Sequence, residues 1–235
     1  TYKYRLFPTS AQRTSLERTL ELCRFVYNET LARRKNTYEE TGKSISLYDT
    51  NKLLIEWKAD KPALIGVHSQ VLQNVQERVD LAYQAFFRRV KVGDTQAFRF
   101  KGKGLYDSFT FKQSGFKLDG SRLTISKVGD VSIKLHRPIC GEIKTLTIQR
   151  DRVGNWYACF SCEADQAMLE PTHEVVGIDM GLTTFAYFSN GEKIARQRWM
   201  KQDAADIARL QRKKEQFALG TPERRKVIKA LCHAH

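Results

Sequence analysis

The chain has 235 residues, of which 41% are hydrophobic, and its 40 Lys and Arg against 26 Asp and Glu give a formal net charge of +14. This apolar content is enough for a folded core and excludes a wholly disordered chain, while the lack of an apolar run of about 18 residues argues against a membrane-spanning helix. The excess of positive charge is typical of proteins that bind polyanions, most simply nucleic acid.

The first 92 residues predict one strand followed by helices. Residues 2–7 alternate polar and apolar side chains, as in a strand, and Pro8-Thr-Ser then opens a helical region of three or four helices. Ser46 with Asp49 resembles a capping box, and Ser69 is the predicted cap of the last helix. Two apolar stripes with helical spacing support this interpretation: Leu16, Leu20, Cys23, Tyr27 and Leu31 in the first helix, and Val71, Val75, Val79, Ala82 and Phe86 in the last.

The middle of the chain predicts a small barrel or sandwich made of short strands. Turn dipeptides at Asp119-Gly120 and Gly154-Asn155 separate some of them. The strand at residues 2–7 can join this sheet, with the helices inserted after it. The predicted strands cover residues 98–100, 106–111, 116–118, 123–126, 131–135, 143–150 and 156–163.

Residues 171–235 predict an α/β arrangement. Val175–Met180 has the composition of a buried strand. A second strand, 183–189, continues into a third from Glu192 through Asn190-Gly191, which favours a type I′ turn. Two basic helices are predicted at 201–217 and 222–232.

Five cysteines are spread along the chain, and the sequence starts without the apolar core of a signal peptide. We therefore expect a reduced, cytoplasmic protein. Cys159 and Cys162 form a lone C-x-x-C in a predicted strand. Positions three apart on a strand face opposite sides, so we interpret these two cysteines as structural rather than as zinc ligands.

Positive charge is concentrated in the β-rich middle, where basic and aromatic residues alternate. Residues 86–152 contain 15 Lys or Arg and 6 Asp or Glu, a net charge of +9, whereas residues 1–85 have +3 and residues 153–235 have +2. Lys and Arg can neutralise phosphates, and Phe or Tyr can stack on unpaired bases. Burial of the Phe residues in an ordinary strand is the alternative.

A shorter basic segment, Arg24–Arg34, lies in the first predicted helix. Arg24, Asn28 and Arg34 can share one side of that helix while Tyr27 and Leu31 point inward. A solvated helix face is the alternative for each of these charges.

The run from Val175 to Phe188 places Asp179 at the end of an apolar strand, between Gly177 and Gly181. An RNase H-like fold begins in this way. Two chemistries use such a start: nucleic-acid hydrolysis by two metal ions held on carboxylates, and the phosphate loop D-x-G-x-T of actin-like ATPases, matched by Asp179–Thr183. A carboxylate that merely caps a turn is the structural alternative.

Taken in order, five short segments resemble the TnpB (OrfB) proteins of bacterial insertion sequences, relatives of the type V CRISPR effector nucleases. They are Tyr4-Arg-Leu-Phe-Pro8, Arg24-Phe-Val-Tyr-Asn28, Ala82 to Phe87, Phe98-Arg-Phe-Lys101 with Ser108-Phe, and Val176-Gly-Ile-Asp-Met-Gly181.

The resemblance implies an α+β multidomain protein. It has a wedge β-barrel at residues 1–8 and 93–172, an inserted helical recognition domain at 9–92 and the start of a RuvC-like, RNase H-like nuclease domain at 173–235. The family uses a guide RNA to find target DNA, which it cleaves with Mg²⁺; Asp179 matches its first catalytic, metal-binding acid. Guide RNA and target DNA are thus the implied partners, and no membrane is involved. The residues that we expect to contact nucleic acid are Arg24, Tyr27, Asn28, Arg33, Arg34, Arg88, Arg89, Lys91, Arg99, Lys101, Lys103 and Lys112.

The chain departs from the family because it stops at His235, before the family's second and third acids and its four-cysteine Zn²⁺ ribbon. One carboxylate cannot hold two metal ions. We therefore expect either part of a longer RNA-guided endonuclease or, as the alternative, a nuclease-dead RNA-guided repressor. The actin-like ATPase is a second alternative.

Overall fold

The first strand of the chain lies inside a sheet whose other strands all come from beyond residue 107. The computed structural model describes residues 1–94, 98–164, 175–197 and 199–234. These form two compact units, Thr1–Asp165 and Gln166–His235.

The first unit begins with a strand and continues with helices. β1 (Tyr2–Phe7) is followed by α1 (Ser10–Thr41), α2 (Leu47–Asp60), a 3-10 turn (Pro62–Gly66) and α3 (Ser69–Val90). A capping box between Thr9 and Gln12 starts α1, and Gly42 ends it with a φ of +68°, a left-handed conformation that glycine adopts without strain. His68, rather than the predicted Ser69, is the residue before α3, and its side chain makes no cap hydrogen bond.

Six further strands complete an antiparallel sheet in the described part of this unit. They are β2 (Ser108–Phe111), β3 (Phe116–Asp119), β4 (Arg122–Ile125), β5 (Gly129–Lys134), β6 (Glu142–Arg150) and β7 (Trp156–Glu163). The spatial order is β2-β6-β7-β1-β5-β4-β3. Register is clear on both sides of β1, where Leu6 lies opposite Ile133 and Tyr4 opposite Ala158.

The sheet curls into a nearly closed barrel. Its two edge strands, β2 and β3, are consecutive in sequence, and the rings of Phe111 and Phe116 at their adjoining ends lie 6.2 Å apart. The predicted α+β fold is thus confirmed at this level: a barrel-like sheet contains residues 2–7 and is interrupted by helices. The predicted boundary at residues 172 and 173 lies outside the described residues.

The helices and the sheet share one hydrophobic core. Val26 of α1, Leu72 and Val75 of α3, and Phe109 and Trp156 of the sheet are all nearly inaccessible to solvent and belong to the same cluster. The alternating burial of β7 follows from its position, since every second side chain faces this core.

Arg78 of α3 adds polar bonds to this apolar contact. Its guanidinium donates to the Ser108 carbonyl and to the Thr110 hydroxyl, each at 2.8 Å. The helical insertion is therefore fixed to the sheet by both kinds of interaction.

The second unit contains a small antiparallel sheet and two helices in its described part. β8 (Ile178–Met180) and β10 (Lys193–Ala195) flank β9 (Thr184–Phe188), and α4 (Trp199–Glu215) and α5 (Pro222–Ala234) follow. No helix of the described residues is both long and apolar enough to cross a membrane.

Three further local predictions were wrong. Phe98–Phe100 is not a strand, because the adjoining Lys101 backbone bonds to side chains of α1 instead of a neighbouring strand. Val175–Met180 is shorter and exposed rather than buried, with Ile178 57% accessible. The turn between β9 and β10 is not type I′, because Gly191 has a positive φ and Asn190 does not.

Replacing Val75, which is 1% exposed, by Asp is expected to lower the free energy of unfolding by about 3 kcal/mol or more, because an unpaired charge is then buried. Since the core is shared, hydrogen exchange should accelerate in β1 and β7 as well as in the helices. The matched control is Leu81→Asp on the same helix, where the side chain is 60% exposed. Unchanged exchange in the sheet would indicate that the helices fold independently.

Candidate nucleic-acid interface

Two predicted residues of α1 hold the backbone of the segment after α3. The amide nitrogen of Asn28 donates to the Lys101 carbonyl at 3.0 Å, and the Lys101 N–H donates to the amide oxygen of Asn28 at 2.8 Å. Arg24 reaches the same carbonyl at 3.3 Å and pairs with Glu21. Tyr27 lies beside them, with the Lys101 ammonium 5.7 Å from its ring. The structure thus brings Arg24, Tyr27, Asn28 and Lys101 together.

Arg34 lies in the interior rather than on the surface. Only 7% of it is exposed, and its guanidinium pairs with the Asp80 carboxylate at 2.8 Å and lies 4.3 Å from the ring of Tyr83. Burial raises the pKa of Tyr83 above its ordinary value, so the hydroxyl stays neutral near pH 7. Arg34 therefore positions Tyr83, while the neighbouring Arg33 is exposed.

A group of cations surrounds the junction between α3 and the following segment. None of them forms an ion pair with another described residue, and all but the half-buried Lys101 are exposed. Arg88 and Arg89 also lie in the last turn of α3, where positive charge complements the helix dipole. We call this set the basic rim: Arg88, Arg89, Lys91, Arg99, Lys101 and Lys103.

Lys112 differs from the cations of the basic rim because it forms an ion pair. Its ammonium is 2.6 Å from the carboxylate of Glu77 on α3. This pair neutralises most of the charge that Lys112 would otherwise offer to a phosphate.

The aromatic residues of the basic segments divide into two groups. Phe109 and Phe111 of β2 are buried in the core, as the alternative for these residues predicted. Phe86 and Phe98 are half-buried, and Phe87 and Phe100 are each 53% exposed. The exposed and half-buried rings, together with Tyr38 and Tyr83, line a cleft of about 450 Å³ between α1, α3 and residues 98–100, which we call the aromatic cleft.

Tyr38 and Lys35, which also line this cleft, were not among the predicted residues. The signal was present in the sequence, because Tyr38 continues the helical stripe of α1 seven residues beyond Leu31. Beyond Leu31 the surrounding sequence becomes charged, which obscures the continuation of the stripe.

In the second unit, Asp179 lies in β8 opposite Tyr187 of β9. Its exposed side chain makes no hydrogen bond or ion pair with another described residue. The following Gly181 is needed for close packing, because a Cβ there would come within 2.9 Å of the Thr184 carbonyl oxygen. The absence of a Cβ at Gly181 therefore lets the two backbone segments approach closely just after β8.

No metal centre is assembled within the described residues. Among them, no group of three or more His, Cys, Asp or Glu side chains could hold an ion. Cys159 and Cys162 lie on opposite faces of β7, as their spacing predicts, and burial raises the pKa of both thiols. This arrangement agrees with the structural interpretation of the C-x-x-C pair.

Comparison with known proteins covers both the start of the chain and its full length. Residues 1–43 match the helix-turn-helix domain family of OrfB from IS605. The whole chain is 30% identical to 59% of a Streptomyces pristinaespiralis protein named "Putative RNA-guided DNA endonuclease". Over 90% of the chain, it is 31% identical to 52% of "Putative RNA-guided DNA endonuclease InsQ" from Escherichia coli K12.

The chain spans between one half and three fifths of the length of these curated relatives. The similarity extends from the first strand through the sheet and includes the segment around Asp179. The resemblance to the TnpB (OrfB) proteins found in the sequence is thereby confirmed.

Proposed function

We propose that the chain is the RNA- and DNA-gripping part of an RNA-guided DNA endonuclease, together with the first strands of its nuclease domain. The observation that carries this proposal is the similarity of the entire chain to proteins named RNA-guided DNA endonuclease. In such proteins, sequence is read by base pairing to the guide, and the protein holds the RNA–DNA duplex by its shape and backbone.

The basic rim supports the gripping role. Its cations are not neutralised by carboxylates of the described residues, and the bonds from Asn28 hold its backbone near Lys101 in place. Fixed cations bind phosphates and release condensed counterions, which favours association at moderate salt.

We infer that β8, β9 and β10 begin a RuvC-like domain and that Asp179 is its first acid. The exposed carboxylate on β8 supports this role, and a bound Mg²⁺ would supply charge stabilisation at the scissile phosphate. Asp179 alone does not fit a two-metal centre. The described residues contribute no second acid to it, so further carboxylates have to complete the site.

The nucleic acid that copurifies with the protein tests the proposal directly. We expect sequencing to return one discrete, structured RNA with a guide-like end. A mixture of abundant cellular RNA fragments, or DNA alone, would contradict it.

Neutralising Arg88, Arg89 and Arg99 together by Gln should weaken binding to a 20-nucleotide uridylate RNA. Each lost phosphate contact should reduce the slope of log K against log salt by about 0.7, the value for single strands. Lys144→Gln is the control, because that ammonium already lies 2.6 Å from Glu142 and 3.1 Å from Glu163. An unchanged slope in the triple variant would show that these arginines do not contact phosphates and belong to an ordinary solvated surface.

Asp179→Asn is expected to abolish guided cleavage in a protein of the relatives' length that carries residues 1–235. RNA and DNA binding should stay within about twofold, since the exposed side chain makes no bond that the fold needs. Asp206→Asn serves as the control, because this exposed acid on α4 pairs with no described residue other than Arg209. If cleavage survived Asp179→Asn, the assignment of Asp179 as a catalytic acid would be wrong.

A further inference from the structure

The aromatic cleft has a size and lining that suit a flat apolar group. Its volume of about 450 Å³ falls in the range of small-molecule sites. Six rings form most of its wall: Tyr38, Tyr83, Phe86, Phe87, Phe98 and Phe100. These rings come from α1, from the end of α3 and from the segment that Asn28 holds.

The inner wall of the cleft is preorganised. The ring of Phe98 lies 4.0 Å from that of Tyr83 and 4.6 Å from that of Phe86. Tyr83 is fixed from behind by Arg34, whose guanidinium is bound to Asp80. A wall held in this way loses little conformational entropy when a ligand binds.

The mouth of the cleft exposes aromatic surface to solvent. Phe87 and Phe100 are each 53% exposed and Tyr38 is 62% exposed. A single exposed ring is ordinary, but three around one opening form a patch of the kind that marks a binding site.

The charges around the mouth indicate the occupant. Arg88 and Arg89 follow Phe87 directly and Arg99 precedes Phe100, and all three are exposed. Lys35 lines the cleft but is paired with Glu39 at 3.7 Å, so the arginines supply the unpaired positive charge. Flat rings beside several cations complement an unstacked base on its phosphate backbone. A protein segment would bring no such regular negative charge.

The polar groups of the cleft favour RNA over DNA. Glu39 and Ser44 lie among its lining residues. A carboxylate and a hydroxyl can both hydrogen-bond a ribose 2′-hydroxyl, the group that distinguishes RNA from DNA.

We propose that the aromatic cleft binds an unstacked base of single-stranded RNA, which stacks on Phe87 and Phe100. The inference rests on the proposed function only in that both require the chain to bind RNA. It identifies a sequence-tolerant stacking site separate from the phosphate contacts of the basic rim.

The test uses a 12-nucleotide uridylate RNA and a 12-nucleotide abasic ribose-phosphate strand as probes, with binding followed by fluorescence anisotropy. Combining Phe87→Leu with Phe100→Leu should weaken uridylate binding about five- to a hundredfold, the range for the loss of one stacked base. The salt slope should stay the same, because no phosphate contact is lost. The abasic strand should bind weakly to the unsubstituted chain and should not respond to the double change.

Phe7→Leu is the matched control, since Phe7 is a 52% exposed phenylalanine at the end of β1 and does not line the cleft. Combining Phe87→Tyr with Phe100→Tyr should retain affinity within about threefold, because the rings that stack are kept. Thermal unfolding of each variant establishes that the fold is intact, as expected for exposed positions.

If the unsubstituted chain and the double Leu variant bound uridylate equally, with a steep salt slope in both, the proposal that the cleft binds an RNA base would be wrong. The proposed function would be unaffected, because phosphate binding would remain. If the unsubstituted chain bound no RNA at all, both the base-binding cleft and the proposed function would be contradicted. A 12-nucleotide deoxythymidylate strand is the DNA probe. If it bound as tightly as the uridylate RNA and lost the same affinity in the double Leu variant, the assignment to RNA would be overturned. A fall in molar mass on substitution, measured by light scattering, would instead identify a second copy of the chain as the occupant.

Discussion

The antiparallel pairing of β1 with both β5 and β7 is the constraint on which the first unit depends. Leu6 and Tyr4 of β1 are each 1% exposed, and their partners lie more than 100 residues later in the chain. The helices therefore occupy a long connection whose two ends must return to one sheet. Gln12 at the start of α1 donates to the Asp130 carbonyl, and Arg78 of α3 donates to the Ser108 carbonyl. These bonds order a loop whose closure would otherwise oppose folding.

This topology also explains how an irregular segment can serve as a fixed surface. Residues 98–101 belong to no strand, yet the backbone of Lys101 is satisfied by Asn28 and Arg24. Bonding through the main chain leaves the side chains of Arg99 and Phe100 exposed. The positive charge of the middle of the chain is consequently presented on an ordered backbone, which favours binding by limiting the entropy lost.

Most of the helices and strands could be predicted from sequence because their signals are local. Apolar stripes at helical spacing and turn glycines gave α1, α3 and the hairpins of the sheet. Phe98-Arg-Phe100 could not be assigned in this way. Its alternation is the same as in a strand, and the deciding partner, Asn28, lies about 70 residues earlier. The pairing of Arg34 with Asp80 likewise depends on tertiary structure, so local sequence cannot distinguish this buried arginine from an exposed one.

The second unit illustrates a different limit of local sequence. The run around Ile178 is apolar enough for a buried strand, but burial requires a second layer over the sheet. Ile178 and Met180 of β8, Phe185 of β9 and Ile194 of β10 are all at least 45% exposed, and only Ala186 of this sheet is buried. Three short strands with so much exposed apolar surface have little stability by themselves. Their composition is therefore that of a sheet suited to burial under a second layer, although the described residues leave most of it exposed.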